Sequence, residues 1–593
     1  MGEVLEINGP IVSIRLPNVL NGEQVRLGKL GLIGEVIARE ADQALVQVYE
    51  STEGMAPGER VEALGHPLSV ELGPGLLGQI VDGVQRPLHA LQAESGDYMA
   101  RGIQVPALDR DTPWPFLPCE TLAPGDILSG GQILGSVQET PSILHRILVP
   151  PGFEGELLEL APPGNYRLEQ AVGRARTRNG NTVKLYLYQR WPVRVPRPYG
   201  KRDDAARPLM TGQRILDTFF PLLKGGKGSV PGPFGAGKTI LQHQIARWSN
   251  ADIVIYVGCG ERGNELVDIL DSFPRLTDPY SKRPLMERTL LVANTSNMPV
   301  VAREASIYVG VTIAEYYRDQ GYDVVMVADS TSRWAEALRE VSGRLGQMPV
   351  EEGYPAYLAS RIAAFYERAG RVETLAGNTG SVTLIGAVSP PGGDFSEPVT
   401  SHTKENVQVF WALSKELADA RHYPAVDWNE SFSGYVTEAA RWWAQEVDAG
   451  WEAARSKAMA LLAEDRELSR IVNLVGPEAL SSAQRWTLQA ATLIREGLLQ
   501  QNALDPVDSF CSPQKQYALL ALMLEIHREG KRLLARGVPV QRLLAMPLLA
   551  RALRLKHTYS SDQVAELLEF GNEIRGALAP LHAEYGHPAE DPP

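Results

Sequence analysis

Cysteine and long apolar runs are both scarce in this chain. Its 593 residues include three cysteines, Cys119, Cys259 and Cys511. Because these are far apart and odd in number, they support neither a disulfide framework nor a paired-cysteine metal site, and a reducing cytoplasm fits best. The apolar run at residues 517–524 is far too short to span a bilayer, and the start MGEVLEINGPIV lacks the basic residues of a targeting segment. We therefore expect any link to a membrane to run through partner chains.

Positive charge is also in deficit. The chain has 58 Lys and Arg against 71 Asp and Glu, a formal net charge of −13. Such a balance repels the phosphates of a nucleic-acid duplex unless a local basic face compensates. Aromatic residues are scarce at the N-terminus as well, where residues 1–70 contain Tyr49 as their only aromatic. The composition thus disfavours nucleic-acid binding.

What is present divides the chain into regions of different texture. At this length several domains are expected. Residues 1–71 alternate short β-rich runs with turns, which predicts a small N-terminal β-barrel. A Pro- and Gly-rich stretch follows, which we divide into a lead-in at 72–109 and a β-rich insert at 110–192. Long Ala-, Leu-, Glu- and Arg-rich segments over 440–593 predict a C-terminal helical bundle.

The remaining region, 193–439, has the pattern of an α/β domain. Short, continuous apolar runs are typical of strands that are buried on both faces. Segments with helical spacing lie between them, so we expect a mainly parallel sheet with crossover helices. The runs are IVIYV (253–257), TLLVA (289–293), VVMVA (324–328) and VTLIGAV (382–388).

A phosphate-binding loop is predicted at the start of this α/β series. In GPFGAGKT two glycines are separated by four residues and followed by Lys and Thr, which is the P-loop spacing. Glycines let backbone N–H groups point inward at phosphates, the helix that follows adds its positive end, and Lys238 adds a full charge. The alternative is a Gly-rich turn before an ordinary helix, but the strand–helix context favours a nucleotide. The predicted ATP-binding residues of this loop are Gly232, Pro233, Phe234, Gly235, Ala236, Gly237, Lys238 and Thr239.

Two residues are predicted to hold magnesium at this site. Thr239 would ligate the ion through its hydroxyl group. Asp329 follows the apolar run VVMVA and therefore faces the carboxyl edge of the predicted sheet, where ligands collect. The alternative for Asp329 is a helix cap, a task that the neighbouring Ser and Thr residues could share. We favour the metal role because the run before it is wholly apolar.

A candidate base follows the strand IVIYV. Glu261 stands on the Gly-containing segment GCGERGNE, where a carboxylate could orient a water in line with the γ-phosphate. Arg262 beside it could stabilise charge on the transferring group. The alternative is a surface Glu–Arg pair at the start of a helix near Asn264. From the residues alone, the two interpretations stand about level.

Beyond these motifs, the chain resembles the catalytic A subunit of the V-type/A-type rotary ATPases almost from end to end. The resemblance rests on GPFGAGKT, YVGCGERGNE, SPPGGDFSEPVT, RHYPAVDWNESFSGY and the long segment from NTSNMPVV to WAEALRE. The β-rich insert, with LDRDTPWPFLP, resembles the bulge domain of A subunits, which β-type and B-type relatives lack. The resemblance implies a RecA-like P-loop domain between the barrel and the helical bundle.

The resemblance also implies functional roles. Lys238 and Thr239 fall on the P-loop Lys and hydroxyl of the family, Glu261 on its water-activating glutamate, Arg262 on the neighbouring arginine and Asp329 on its magnesium-side aspartate. Tyr423 and Phe510 fall where the family packs aromatic rings against adenine; without it they would be taken as core residues. The cofactor implied is Mg²⁺ with ATP or ADP.

The partners implied are B-type subunits in an alternating A3B3 ring, with central shaft and peripheral stalk subunits. In the family, the neighbouring B-type chain supplies a trans-acting arginine. The membrane sector, made of other chains, would move protons or sodium ions, so we expect this chain to be cytoplasmic, peripheral to the membrane and free of nucleic acid.

Two rival functions use related architectures. A ring-forming RNA translocase also joins a β-barrel to this type of nucleotide domain, but its barrel needs basic and aromatic residues that residues 1–70 lack. A secretion-associated export ATPase is the second rival, and the long insert and long helical domain speak against it.

The segment LVGPEALSSAQ (474–484) aligns with the part of β-type relatives that presses on the rotating shaft. It carries a single acid, Glu478, so we expect a steric contact through Leu474, Val475 and Leu480. The alternative is a simple helix–turn–helix corner at Gly476 and Pro477.

Overall fold

The computed structural model describes residues 2–96, 101–204 and 206–586. The N-terminal region folds into short β-strands joined by turns. Its strands are β1 (Gly2–Asn8), β2 (Ile11–Arg15), β3 (Glu23–Leu27), β4 (Leu32–Glu40), β5 (Gln43–Val48) and β6 (Arg60–Pro67). They close into a barrel in the order β1-β2-β5-β4-β3-β6, with β1 pairing with β6. Branched residues such as Val12, Val25 and Val46 fill its core, and the predicted barrel is confirmed.

The Pro- and Gly-rich region that follows is also β-rich, as predicted. The lead-in contains β7 (Ser69–Leu72), β8 (Ile80–Val81) and the helix α1 (Leu88–Ser95). The insert contains β9 (Trp114–Pro118), β10 (Ile127–Ser129), β11 (Ile133–Thr140), β12 (Ile143–Leu148), β13 (Glu154–Leu160), β14 (Gly164–Tyr166), β15 (Gly173–Thr177) and β16 (Thr182–Leu185). These eight strands form two antiparallel four-stranded sheets, β10-β13-β15-β16 and β12-β11-β9-β14. After them, β17 (Gln189–Pro192) returns to pair with β7, and β18 (Lys201–Arg202) follows.

The predicted α/β region alternates strands and helices in chain order. A π-helical turn at Ile215–Phe219 precedes it. The elements are β19 (Lys227–Pro231), α2 (Lys238–Trp248), β20 (Ile253–Glu261), α3 (Gly263–Ser272), β21 (Thr289–Thr295), α4 (Val300–Asp319), β22 (Asp323–Asp329), α5 (Thr331–Arg344), α6 (Leu358–Tyr366), β23 (Gly370–Glu373), β24 (Thr379–Val388) and α7 (Pro398–Asn406). Short 3₁₀ turns lie at Phe273–Arg275, Leu285–Arg288, Glu351–Gly353 and Pro391–Gly393. All four predicted apolar runs are strands.

The rest of the chain is mostly helical. It begins with the small elements β25 (Val409–Phe410), α8 (Lys415–Asp419) and β26 (Phe432–Ser433). The helices are α9 (Val436–Glu446), α10 (Trp451–Val475), α11 (Ser482–Ile494) with a π-helical turn at Arg495–Leu499, α12 (Pro513–Ala535), α13 (Val540–Leu544), α14 (Pro547–Ala552), α15 (Leu555–Thr558) and α16 (Val564–Glu584). The predicted helical domain is confirmed, although residues 587–593 lie outside the described part. No helix that the structure describes is long and apolar enough to cross a membrane.

The chain divides into two compact units that interleave in sequence. The first unit contains Met1–Ala205, Lys224–Ser229 and Ala251–Val407. The second contains Ala206–Leu223, Val230–Asn250 and Gln408–Pro593. The barrel, the insert and most of the α/β region belong to the first unit, whereas the P-loop, α2 and the C-terminal helices belong to the second.

A parallel sheet forms the centre of the first unit. Its strands run in the order β24-β22-β20-β21-β8, and every neighbouring pair in that order is parallel. Strand β23 adds to β24 in the antiparallel direction. Because β20 and β22 are parallel neighbours, their last residues, Glu261 and Asp329, lie at the same carboxyl edge of the sheet.

The corner between α10 and α11 in the second unit settles one prediction. Gly476 ends α10 with a φ of 86°, Pro477–Ala479 forms a 3₁₀ turn, and a capping box of Ser481 and Gln484 starts α11. Leu474 is 84% exposed, as a contact residue must be. Leu480 is buried, so its side chain is not exposed for the steric contact that was predicted for it. The side chain of Val475 lies outside the described part of the chain.

Candidate functional site

The predicted P-loop follows β19 and leads into α2, and the residues of the loop belong to the second unit. Gly235 and Gly237 have φ values of 81° and 87°. Residues with a Cβ atom rarely adopt such positive φ values, so both positions need glycine. A Cβ atom at Gly232 would lie 2.6 Å from the Leu413 Cβ atom, which excludes any larger residue there. The Lys238 ammonium group donates to the carbonyl oxygens of Gly232, at 2.6 Å, and Pro233, at 3.0 Å. The loop therefore curls around its own lysine, at the N-terminus of an eleven-residue helix.

The other P-loop residues vary in exposure. Phe234 is 71% exposed and Ala236 is buried. Thr239, the second residue of α2, is half-buried. Its hydroxyl group stands one residue beyond Lys238, at the positive end of the helix. The loop thus presents a cation, a hydroxyl and several backbone N–H groups, the combination that binds phosphates with a hard cation.

A cavity of about 970 Å³ adjoins the P-loop within the same unit. The Tyr423 ring lies against Gly237, since a Cβ atom built there would be 3.5 Å from the ring. Several separate segments of the chain contribute the walls of the cavity. The lining residues are Gln213, Gly237, Ile240, Leu241, Gln244, Leu413, Arg421, Tyr423, Pro424, Ala425, Gln500, Gln501, Asn502, Ala503, Leu504, Lys556 and His557. A cavity beside a P-loop, with mixed apolar and amide walls, has the size and chemistry to hold a base and a ribose.

The two predicted aromatic residues have different positions. Tyr423 is 41% exposed and lines the cavity. Phe510 stacks on Trp248 with ring centroids 5.1 Å apart, and it covers Gly212, where a Cβ atom would be 2.3 Å from its ring. Phe510 is not among the described lining residues of the cavity. In this structure Tyr423 is therefore the aromatic wall, and Phe510 supports the backbone near Gln213.

The predicted carboxylates and Arg262 belong to the first unit. Glu261 is the last residue of β20, and Arg262 precedes the first turn of α3. Asp329, the last residue of β22, is buried and accepts a hydrogen bond from the Tyr256 hydroxyl at 3.3 Å. The sequence analysis predicted both the positions of these three residues and their chemical roles. The structure places both carboxylates at one edge of the parallel sheet.

The electrostatics around Glu261 are unusual. Burial raises the pKa of its carboxyl group to about 9, and the charges of Asp329 and Glu265 contribute to that rise, whereas Arg333 lowers it. The raised pKa favours the protonated form of the carboxyl group at neutral pH. Carboxyl pKa values perturbed in this way are typical of catalytic sites.

Comparisons with known proteins agree with these features. Residues 212–433 match the model of the ATP synthase alpha/beta family nucleotide-binding domain, and residues 1–65 match the β-barrel domain of the same family. Residues 105–194 match its barrel-sandwich domain, and 440–543 match the C-terminal domain of V and A type ATP synthases. The chain is 70% identical to the V-type ATP synthase alpha chain of Nitrosococcus oceani, across 99% of this chain and 100% of that one. The chain belongs to the family of V-type and A-type ATP synthase alpha chains.

Other relatives have a lower sequence identity to this chain. The corresponding A subunit of the A-type ATP synthase from Thermococcus onnurineus is 52% identical, over 99% of this chain and 100% of that protein. A solved structure of the assembled ATPase EscN, from the type III secretion system of enteropathogenic E. coli, aligns with a TM-score of 0.61 at 22% identity. That alignment covers 88% of this chain and 100% of the other. The likeness to EscN shows a shared fold only.

Sequence reasoning missed several residues, some beside the predicted carboxylates of the first unit and others in the cavity walls of the second. Arg333 lies four residues after Asp329, in the first turn of α5, and its charge acts on Glu261. Gly260 packs closely beside it: a Cβ atom there would meet Arg303 at 2.8 Å and Arg333 at 2.9 Å. A cation one turn after a strand-end Asp was a usable signal for Arg333. No such signal exists for the cavity walls at 500–504 and 556–557, because only the fold brings them to the P-loop.

Proposed function

We propose that this chain is the catalytic subunit of a rotary ATP synthase, which makes or hydrolyses ATP at its boundaries with B-type subunits. The observation that carries the proposal is the P-loop with a base-sized cavity beside it in one unit. The proposal assigns the chemical roles to Glu261 and Asp329, at the carboxyl edge of the sheet in the first unit. Coupling to proton or sodium movement runs through shaft, stalk and membrane subunits that are other chains. Membership in the alpha-chain family supports this assignment.

Each site residue has a distinct task in this proposal. The P-loop backbone and Lys238 bind the phosphates, and Tyr423 and its neighbours receive the base. Glu261 orients the attacking water and, in its ionised form, accepts its proton in the hydrolytic direction. Arg262 stabilises negative charge on the group that is transferred. Phosphoryl transfer depends mainly on such positioning and charge stabilisation, so few covalent roles are needed.

Magnesium fits the residues that are present. Thr239 offers a hydroxyl oxygen and Asp329 a carboxylate, the hard ligands that Mg²⁺ prefers, and the ion needs only one or two protein ligands because it keeps several waters. When bound with the nucleotide, Mg²⁺ supplies positive charge against the β- and γ-phosphates. Asp329 and Thr239 would hold the ion, and Asp329 would do so through the negative charge of its carboxylate.

Replacement of Asp329 tests the metal assignment. We expect Asp329→Asn to raise the Mg²⁺ concentration needed for half-maximal ATPase activity by about tenfold, because a neutral amide is a weaker ligand than a carboxylate. Activity in the assembled complex should be measured against free Mg²⁺ at saturating ATP. The control is Asp268→Asn, an exposed residue of α3. An unchanged Mg²⁺ requirement in Asp329→Asn would remove this residue from the metal site.

The exposed leucine at the α10–α11 corner is the proposed contact with the rotating shaft. We expect Leu474→Ala to reduce ATP-driven ion transport more than ATP hydrolysis, because the corner loses the only large apolar side chain shown exposed between residues 474 and 484 in the described part. Glu478→Ala, at the same corner, should keep transport and hydrolysis in proportion. Both ratios should be measured in the whole complex in vesicles. Unimpaired coupling in Leu474→Ala would leave the corner a structural turn.

A further inference from the structure

The second unit contains a buried lysine beside the base-sized cavity that the proposed mechanism does not use. Lys556 lies on the short helix α15 and is 4% exposed, yet it lines the cavity. Its ammonium group donates to the Glu496 carbonyl oxygen at 2.6 Å and to the Gln500 carbonyl oxygen at 2.7 Å. The side-chain oxygen of Gln500 lies 3.3 Å away. A single cation thus satisfies three acceptors at the end of the α11 helix.

Those carbonyl groups belong to the turn that leads directly into the cavity wall. The π-helical turn Arg495–Leu499 ends α11, and the residues immediately after it, 500–504, line the cavity. Carbonyl groups at a helix C-terminus lack partners within the helix and need donors from elsewhere. Arg214 supplies further donors, to the Leu498 carbonyl and, at 2.8 Å, to that of Gln500. The wall is therefore fixed from behind by two buried cations.

The same turn is tied to the aromatic wall. The Gln501 backbone N–H donates to the Tyr423 carbonyl oxygen at 2.7 Å, and the Gln500 side chain donates to the Arg421 carbonyl oxygen at 3.4 Å. His422 contacts the Arg495 carbonyl oxygen through Nε2 at 3.1 Å. A shift of the turn would consequently move both walls of the cavity.

We propose that Lys556 is a positioning residue that holds the 500–504 wall and, through it, Tyr423 in the arrangement that receives the base of the nucleotide. This inference rests on the proposed function, because it assigns the cavity to the base. Lys556 does not contact the phosphates in this arrangement, so its effect is on binding of the nucleoside part. Lys515 in turn donates to the Lys556 carbonyl oxygen at 2.9 Å and fixes the backbone of α15.

Substitution of Lys556 should separate binding from chemistry. In the assembled complex, we expect Lys556→Met to raise the KM for ATP about tenfold while kcat stays within about twofold, since a charged donor to buried carbonyl groups is lost but the reacting groups are untouched. Lys556→Arg, which keeps the charge and the donors, should restore most of the affinity. The matched control is Lys531→Met on the exposed face of α12. An unchanged KM in Lys556→Met, or an equal fall in kcat, overturns the inference.

A second measurement separates this inference from the proposed function. Binding of MgADP and of magnesium pyrophosphate should be measured by calorimetry for the wild type, Lys556→Met and Lys238→Ala. We expect Lys556→Met to weaken MgADP alone and Lys238→Ala to weaken both. If Lys238→Ala left both unchanged, the proposed function would fail; if Lys556→Met weakened both equally, only the inference would.

The pH dependence gives an independent test that needs no destabilising variant. Burial, followed by the charge of Arg214, lowers the pKa of Lys556 to about 8. The titratable and charged groups that surround it are Arg214, Lys515, Glu496, Asp505, Asp508 and His557. Below pH 8 the ammonium donates to all three acceptors, and above it one donor is lost, so the wild-type KM should rise severalfold between pH 7 and pH 9. Lys556→Arg cannot lose its proton in this range, so its profile should lack this rise, whereas groups common to both proteins, such as Glu261, contribute equally to the two profiles. Identical profiles in the wild type and Lys556→Arg would contradict the proposal. This test does not depend on whether Lys556→Met assembles.

Discussion

Replacing Glu261 by Gln is expected to lower the ATP turnover of the assembled complex by roughly 100-fold or more, because an amide, unlike a carboxyl group, cannot ionise and then accept the proton of the attacking water. Nucleotide binding and assembly should be nearly unchanged. Burial and the Asp329 charge raise the pKa of the Glu261 carboxyl group to about 9. At neutral pH the ligand-free site therefore already holds a protonated acid, which a glutamine side chain matches in shape and charge. Single-turnover and equilibrium binding measurements separate the two effects.

The control for this prediction is Glu405→Gln, in the same unit. The Glu405 side chain is 73% exposed, so the same chemical change there should leave turnover within about twofold. Near-normal turnover in Glu261→Gln would refute its role as the group that positions water. A loss of MgATP affinity comparable to the loss of turnover would instead point to a structural role.

Replacing Lys238 by Ala is expected to weaken MgATP binding by about 10- to 100-fold, since charge-assisted hydrogen bonds contribute about 1.5–3 kcal/mol. Turnover should be lost with it. The ammonium group now bonded to the Gly232 and Pro233 carbonyl oxygens is the charge that the phosphates would attract. Equilibrium binding of a fluorescent ATP analogue to the complex measures the change.

An exposed lysine of the same unit provides the comparison. Lys457→Ala, on α10, removes the same kind of side chain at a position far from the P-loop in sequence. It should leave the affinity for MgATP unchanged. Retention of wild-type MgATP affinity by Lys238→Ala would show that the phosphates bind elsewhere.

Much of the fold could be predicted because its signals are local. Continuous apolar runs such as VVMVA identify buried strands by themselves, and the strand-end positions of Glu261 and Asp329 follow from where those runs stop. The P-loop is equally local, since eight consecutive residues carry both its backbone shape and its charge. Local patterns were less informative at the α10–α11 corner, where Leu474 and Leu480 look alike in sequence but one is exposed and the other buried.

The walls of the base cavity could not be predicted from local patterns. Tyr423, Gln501 and Lys556 are separated by long stretches of chain, and each would be an ordinary residue without its neighbours in space. The family resemblance supplied Tyr423 and Phe510, but it could not show that Phe510 stacks on Trp248. Lys556 emerged only from its contacts with the carbonyl groups at the end of α11.

The interleaving of the two units has a consequence for synthesis of the chain on the ribosome. The barrel and the insert are continuous in sequence and can fold as soon as they emerge. The second unit is not continuous, because it combines Ala206–Leu223 and Val230–Asn250 with the segment that begins at Gln408. The P-loop helix must wait for roughly 300 residues, or about 15–60 s at ordinary elongation rates, before α15 arrives to complete its cavity. During that time α2 exposes apolar surface, so nascent chains of this length are the stage at which chaperones or bound nucleotide would have the greatest influence on yield.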